Sequence, residues 1–349
     1  MLDSWPMNLS VLHQIIISEP KFRHQQLDQA VYVDLIDNWD QASVLPKDLR
    51  AKLNAGCPLE IKAEVVKTSG AEPTQKALIK LEDGAEIETV LIRQKGNRNT
   101  VCVSSQVGCP LACAFCATGQ MGFTRNLKAH EIVEQVLFFM RALKKEGGEA
   151  KVDNIVFMGM GEPFLNYSEV IKALKWLNDA ESFNFGSRRL SVSTSGIPEG
   201  IIKIGGEKLQ LNLAVSLHFA TDLSRRRYMP VANKYPLEKL MPAVDDYIRK
   251  TGRKVMFEYL MIKDINDSDN DAKLLAALMN KPLYMVNLIP YNPTGRFQAS
   301  SAERVAKFKK ILEDAEINVT TRHSYGGGIE AACGQLAIKK NNKTVLVKK

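Results

Sequence analysis

The stretch Thr100-Val-Cys-Val-Ser-Ser-Gln-Val-Gly-Cys-Pro-Leu-Ala-Cys-Ala-Phe-Cys116 is an apolar, strand-like run followed at once by three cysteines. Cys109, Cys113 and Cys116 have the spacing C-x₃-C-x₂-C on one predicted loop. Three thiolates this close can bind three irons of a [4Fe–4S] cluster and leave the fourth iron open. The alternative, structural zinc, requires a fourth Cys or His, and the nearest downstream histidine, His130, falls within a predicted helix. We therefore favour the iron–sulfur cluster.

Around this stretch, strand-like and helical patterns alternate along the chain. The predicted strands cover 100–105, 154–158, 190–194, 211–217, 255–261, 284–290 and 318–322. The predicted helices cover 128–145, 168–180, 236–250, 269–280 and 302–315. Such alternation is typical of an α/β fold with parallel strands and right-handed crossovers, whose functional groups gather at the carboxyl ends of the strands. The pattern favours a β/α barrel or partial barrel over a flat sheet only weakly.

Composition indicates an ordinary folded chain, with 349 residues, 45% hydrophobic and 25% charged. The 47 Lys and Arg exceed the 39 Asp and Glu, and the net charge of +8 suits either a polyanionic partner or a solvated surface. No apolar run approaches the roughly 20 residues of a membrane span, and the first residues lack a signal-peptide pattern. Clustered thiols in a chain of this size indicate metal or redox chemistry rather than a disulfide framework. We expect a cytoplasmic protein that makes no membrane contact.

Four regions follow from these patterns. Residues 1–57 are predicted to form a small helical N-terminal accessory domain, and residues 58–97 a short β linker with a hairpin turn at Asp83-Gly84. Residues 98–322 form the predicted barrel. Residues 323–349 form a C-terminal loop that contains Cys333 and a basic tail, which is either solvated or in contact with phosphates.

Several short segments identify a family. They are Gly122–Leu127, Met158–Pro163, Ser193–Gly196, Ser216–His218, Asn287–Pro293 and Ala331–Leu336. Together with the cysteine spacing they resemble the radical S-adenosylmethionine (SAM) superfamily. Over nearly the whole chain the sequence is similar to the RlmN/Cfr family of adenosine methyltransferases.

The resemblance implies a radical SAM partial (β/α)6 TIM-like barrel with two cofactors. The three clustered cysteines would hold a [4Fe–4S] cluster whose open iron chelates SAM. Two SAM molecules would be used per turnover, and an external electron donor such as flavodoxin or ferredoxin would reduce the cluster. The implied SAM contacts are Gly161, Glu162, Ser193, Ser216, His218 and Asn292.

The resemblance also implies a mechanism with two further cysteines. Cys333 would first be methylated by one SAM, and a radical from the second SAM would then remove hydrogen from its S-methyl group. The resulting methylene radical would add to the adenine ring. Cys102 would resolve the protein–RNA adduct through a transient Cys102–Cys333 disulfide, and Glu88 would accept a proton.

The implied enzyme is a monomer that methylates carbon 2 of adenosine in 23S rRNA and tRNA. Pro163, directly after Glu162, is similar to the carbon-2 (RlmN-type) branch, and carbon-8 methylation of rRNA (Cfr-type) is the alternative. Two departures affect this interpretation. Glycines at 326–328 precede Ile329 where the family usually has an acidic residue, which would loosen the segment around Cys333. The N-terminal region is short, which leaves the choice between rRNA and tRNA open.

Alternatives from other classes also fit parts of the sequence. Another radical SAM enzyme, such as an activase, would not methylate Cys333. A non-catalytic, zinc-stabilised RNA-binding protein would have no use for Cys102 or Cys333. Basic clusters that could contact phosphates or could simply be solvated lie at 188–189, at 225–227 and at Lys307, Lys309 and Lys310.

Overall fold

The computed structural model describes residues 9–68, 74–94, 96, 98–147, 151–322 and 326–337. The predicted basic tail at 338–349 and the residues 323–325 of the predicted C-terminal loop lie outside the described residues. No helix in the described ranges combines the length and apolar character needed to cross a bilayer.

A ten-stranded mixed sheet organises the chain. Its strands, in spatial order, are β1 (Ala63–Lys67), β2 (Gln75–Lys80), β3 (Glu86–Gln94), β4 (Arg98–Cys102), β7 (Asn154–Phe157), β8 (Leu190–Thr194), β9 (Asn212–Ser216), β10 (Val255–Met261), β11 (Tyr284–Pro290) and β12 (Val319–Thr321). From β4 to β12 every neighbouring pair is parallel. A separate hairpin is formed by β5 (Gln106–Gly108) and β6 (Phe123–Asn126). Between its two strands lies the loop 109–116, here called the cysteine loop.

The helices lie between the parallel strands. They are α4 (Ala117–Gln120), α5 (Ala129–Lys145), α6 (Tyr167–Asn178), α7 (Pro198–Ile204), α8 (Asp222–Tyr228), α9 (Leu237–Thr251), α10 (Asp269–Leu278) and α11 (Ala302–Asp314). Apolar side chains from both layers form the core; Ile155, Val192 and Val286, for example, are fully buried. The α/β prediction is confirmed. The sheet curls as a partial barrel, since residues at the ends of β7 to β11 line one common cavity.

The N-terminal helices are α1 (Leu9–Ile16), α2 (Lys21–Asp28) and α3 (Lys47–Gly56). Trp39 is buried beneath them and donates its indole N–H to the Cys57 carbonyl at 2.7 Å. The Asp83-Gly84 turn joins β2 to β3, as predicted. Strand β3 then pairs antiparallel with β4, with Val90 opposite Cys102, so the strands of the predicted linker continue the sheet of the barrel.

Strand β4 ends at Cys102, whereas the apolar run predicted a strand that continues to residue 105. Beyond it, the Ser104 amide donates to the Gln135 side chain at 2.7 Å, and the Ser105 amide donates to the Met160 carbonyl at 2.8 Å. These bonds to a helix and to a loop replace the sheet ladder, and they aim the chain towards the cysteine loop.

Candidate active site

A cavity of about 930 Å³ lies at the carboxyl ends of the parallel strands. This volume includes space open to solvent. Most of the residues predicted to hold the cluster and SAM line it: Cys109, Cys113, Cys116, Gly161, Glu162, Ser193, Ser216 and His218. They come from separate segments of the chain, and the parallel sheet brings them to one edge.

The cysteine loop is held at both ends. The Cys109 amide donates to the Gly122 carbonyl at 2.8 Å, across the base of the β5–β6 hairpin. The Cys116 amide donates to the Cys113 carbonyl at 3.1 Å, which closes the loop into a turn. Burial raises the pKa of the Cys109 thiol to about 12, and it raises the pKa of the Cys113 thiol well above its usual value. A cationic group is therefore needed to stabilise their thiolates, as a metal cluster does.

The three cysteines of the motif line a single cavity. Among the described residues, no three Cys, His, Asp or Glu side chains are placed to hold one metal ion together. Three thiols on one cavity can each bind a different iron of a cluster.

The turn after β7 brings backbone close to the cavity. Gly161 has φ +97°, and a Cβ on it would lie 2.5 Å from the Gln106 Cβ, so only glycine fits. The buried Glu162 carboxylate accepts hydrogen bonds from the Ser195 amide at 2.7 Å and the Phe164 amide at 3.1 Å. Burial nevertheless raises the pKa of Glu162. A bound ammonium group would favour its charged form.

His218 and the paired serines complete the cavity wall. The Ser193 and Ser216 hydroxyls lie 3.4 Å apart, on adjacent strands. Burial lowers the pKa of His218 to about 3, so the ring is neutral at physiological pH. Its Nδ1 accepts from the Leu260 amide at 3.2 Å. The proton must therefore be on Nε2, which is left to donate to a ligand.

A second cavity, of about 690 Å³, adjoins the first. Cys102, Cys333 and Asn292 all line it, and Cys333 lines both cavities. Both cysteines are free thiols. Burial raises the pKa of Cys102 to about 12. The Asn292 amide donates to the Cys333 carbonyl at 3.3 Å, which places this predicted SAM contact against the Cys333 backbone.

The segment 326–337, here called the Cys333 loop, is fixed to α4, the helix directly after Cys116. The Thr118 hydroxyl donates to the Leu336 carbonyl at 2.6 Å, and the Ala117 amide donates to the Gly334 carbonyl at 2.8 Å. These bonds anchor the side of the loop that follows Cys333, whereas the glycines lie before it. At Gly326, which has φ +77°, an added Cβ would meet that of Ala331 at 2.8 Å.

Glu88 lies beneath the Cys333 loop, outside the residues that line the two cavities. Its carboxylate accepts from the Ala337 amide at 2.8 Å and pairs with Lys76 at 2.9 Å. Burial raises the pKa of this carboxyl group, and Lys76 opposes that effect.

Two charged residues of the site were not predicted. Glu258, on β10, lines the first cavity, accepts from the Asn287 amide at 2.8 Å through Oε2, and has no partner for Oε1 among the described residues. Arg322 follows β12 and lines both cavities. Both were visible as charged residues in or beside apolar strand-like runs, where a buried charge requires a function or a partner.

The three basic clusters differ in the structure. Arg225 is fully buried and donates a hydrogen bond to the Ser195 carbonyl at 2.9 Å, so its side chain does not lie on the surface where RNA phosphates could reach it. Arg226 and Arg227 are exposed. Arg188 donates to the Gln210 side chain at 3.2 Å. The three lysines of α11 are paired with carboxylates: Lys307, Lys309 and Lys310.

Comparison with known proteins gives a consistent result. Residues 103–275 match the Radical SAM superfamily. The chain is 47% identical over 321 residues to a "Probable dual-specificity RNA methyltransferase RlmN" of Dictyoglomus thermophilum, covering 91% of each chain. It is 44% identical over 347 residues to the protein of the same name in Chloroflexus aurantiacus, covering 95% of this chain and 91% of the relative. The crystal structure of a radical SAM methyltransferase from Sphaerobacter thermophilus superimposes with a TM-score of 0.89 at 43% identity, covering 95% of this chain and 98% of that one.

Proposed function

Because the chain belongs to the RlmN family of radical SAM RNA methyltransferases, we propose that it methylates carbon 2 of adenosine in 23S rRNA and tRNA, using a methyl group carried on Cys333. The observation that supports this most strongly is the position of Cys102 and Cys333 on one cavity, which adjoins the cavity of the three clustered cysteines. An activase or a zinc-stabilised binding protein would not need that arrangement.

Membership of the family implies a [4Fe–4S] cluster and SAM. We assign the three cluster ligands to Cys109, Cys113 and Cys116, which leaves one iron open. When bound, the cluster and SAM supply the organic radical of the reaction. The chain's own groups position SAM: the Glu162 carboxylate towards its ammonium group, and the Ser193 and Ser216 hydroxyls and the His218 Nε2–H as polar contacts. We assign a further SAM contact to Asn292, whose side chain lies beside the Cys333 backbone.

Cys333 carries the carbon in this proposal. Its sulfur accepts a methyl group from one SAM, and a second SAM is the source of the radical, which makes two SAM molecules per turnover. Carbon 2 of adenine is not nucleophilic enough to attack a SAM methyl group directly, so transfer through a sulfur-bound carbon radical opens the reaction. The Cys333 loop must hold this sulfur between the two cavities, as its bonds to the helix after Cys116 allow.

Cys102 then releases the product. The adduct radical must first give up one electron and the proton on carbon 2. The Cys102 sulfur then attacks the Cys333 sulfur, the bond between that sulfur and the RNA-bound carbon breaks, and this carbon keeps the electron pair and takes up a proton to become the methyl group. The transient Cys102–Cys333 disulfide that forms is reduced by the external electron donor. The neutral thiol must first lose its proton, and Arg322 lowers the pKa of Cys102 against the effect of burial. We assign proton acceptance to Glu88, whose raised pKa is favourable for a base and whose carboxylate contacts the Cys333 loop.

The remaining assignments concern partners and organisation. The target adenosine must be unpaired or extruded to enter the cavity. We assign RNA docking to the helical region 1–57, the strands of 58–97 to a linker, catalysis to the barrel of 98–322, and the methyl carrier to 323–349. A flavodoxin or ferredoxin would supply electrons to a monomeric enzyme, and RNA substrates would place it in the cytoplasm.

Nucleoside mass spectrometry tests this proposal. The chain is expressed in cells that lack their own enzyme, and rRNA and tRNA are digested separately. We expect 2-methyladenosine in both RNAs. 8-Methyladenosine would assign the carbon-8 reaction instead, and rRNA modified alone would remove tRNA from the substrates. Absence of any methyladenosine from protein that contains iron and sulfide would refute the proposed activity.

A further inference from the structure

Exposed cations on this molecule differ in whether a carboxylate neutralises them. On α11, three side chains each lie within 3.1 Å of a carboxylate: Lys307, Lys309 and Lys310. Arg226, Arg227 and Arg296 are also exposed, but no carboxylate of the described ranges pairs with any of them. We call these three residues the arginine rim. Their charges remain available to a polyanion.

Two arginines of the rim lie over aromatic rings. The Arg227 guanidinium carbon lies 5.4 Å from the centroid of the Tyr228 ring, and that of Arg296 lies 5.9 Å from the Phe297 ring. The two rings meet edge to face at 5.9 Å and are half-buried. Guanidinium groups held over rings are ordered before a ligand arrives, and exposed parts of such rings can stack on bases.

The rim is connected to both catalytic loops. The Ala114 amide, inside the cysteine loop, donates to the Tyr228 carbonyl at 2.9 Å. Asn292, which is hydrogen-bonded to the Cys333 carbonyl, lies only four residues before Arg296. The arginine rim therefore lies beside the segments that carry the cluster ligands and the methyl carrier.

We propose that the arginine rim binds the backbone phosphates of the single-stranded RNA on either side of the target adenosine. The proposal rests on the proposed function, since an adenine inserted into the cavity leaves its flanking phosphates outside, next to these loops. Phosphates need cations that are not already neutralised, which distinguishes the rim from α11. Leu223, 84% exposed, lies one helical turn before Arg226 and offers an apolar contact to an unstacked base.

The test compares two charge-matched variants of the full-length holoenzyme. One is Arg226→Gln/Arg227→Gln/Arg296→Gln, and the other is Lys307→Gln/Lys309→Gln/Lys310→Gln. Iron and sulfide content and SAM cleavage by a chemical reductant without RNA verify that each variant is intact. Affinity for an unmodified tRNA transcript is then measured over a range of salt concentrations.

Three phosphate contacts contribute a slope of about 2 to the dependence of log affinity on log salt, which is about 100-fold in affinity at 0.1 M salt. We expect the arginine variant to lose about that much and the lysine variant to stay within about twofold of wild type. Equal affinity of the arginine variant and wild type, or equal losses in both variants, would overturn the proposal. Loss of cluster reduction by flavodoxin with unchanged RNA affinity would overturn it too, and would assign the rim to an acidic protein. Wild-type enzyme that neither binds nor methylates RNA would instead refute the proposed function, and the rim with it.

Discussion

Gly161→Ala perturbs the turn that brings Glu162 to the cavity. A new Cβ would lie 2.5 Å from the Gln106 Cβ, at a residue with φ +97°. A positive φ costs an alanine about 1–2 kcal/mol, and overpacking adds about 1–3 kcal/mol, so we expect a loss of about 2–5 kcal/mol. The Gln106 side chain also accepts a hydrogen bond from the Glu162 amide at 2.8 Å. A clash that displaces Gln106 must therefore also move Glu162. We expect SAM affinity to fall about tenfold or more, which corresponds to about 1.4 kcal/mol.

Gly84→Ala is the matched control, since Gly84 has φ +81° and nothing within 4 Å of an added Cβ. This variant should lose only the about 1–2 kcal/mol of backbone strain and bind SAM normally. At about 2 °C per kcal/mol, the melting midpoints should fall by about 4–10 °C for Gly161→Ala and about 2–4 °C for Gly84→Ala. Anaerobic thermal melts and equilibrium dialysis with labelled SAM measure both effects. If the two variants melted together and bound SAM equally, the close approach inferred at Gly161 would be refuted.

Three other substitutions test separate parts of the account. Cys102→Ala should accumulate a covalent protein–RNA adduct on denaturing gels, and normal turnover without adduct would contradict the resolving role. Thr118→Val should leave the buried Leu336 carbonyl without its hydrogen-bond donor at 2.6 Å, which destabilises the Cys333 loop by about 1–3 kcal/mol. Amide hydrogen exchange in this loop should therefore be faster than in wild type. Unchanged exchange would show that this hydrogen bond does not anchor the loop. Burial lowers the pKa of His218 to about 3, whereas the unfolded ring, with a pKa of about 6.5, binds a proton below that pH. Titration of this ring therefore has no effect on stability well above pH 6.5 and disfavours the fold by about 2 kcal/mol at pH 5. Acid should destabilise wild type more than His218→Gln, and parallel pH profiles of the two proteins from urea unfolding would refute this.

The fold was predictable where local pattern and tertiary structure agree. The predicted bounds of β8, β10 and β11 match the structure. β10 and β11 are apolar runs buried on both faces, whereas β8 alternates buried residues with half-buried serines. The short helices α7 and α8 were not predicted, since each has only seven residues and little helical periodicity. The end of β4 depended on hydrogen bonds to Gln135 and Met160, which are distant in sequence.

The site was predictable where residue type and spacing specify chemistry. The three cysteines and the turn at Gly161 are of this kind, and the structure places them on one cavity. Glu258 was missed, because its partner Asn287 lies on the next strand, 29 residues along the chain. Arg225 was taken for a surface cation, although the fold buries it against the Ser195 carbonyl. Burial and cross-strand partners depend on tertiary packing, which a pattern of residue types does not contain.

The central claim is that Cys333 carries the carbon that reaches the RNA. Peptide mass spectrometry of the holoenzyme, before and after a single turnover with unmodified tRNA, tests it most directly, with Cys333→Ala as the control. The account predicts S-methylcysteine at Cys333 in enzyme that has been exposed to SAM, before RNA is added. It also predicts that this methyl group is lost as 2-methyladenosine appears in the RNA. Methylated RNA formed while Cys333 stays unmodified, or formed by Cys333→Ala, would contradict it.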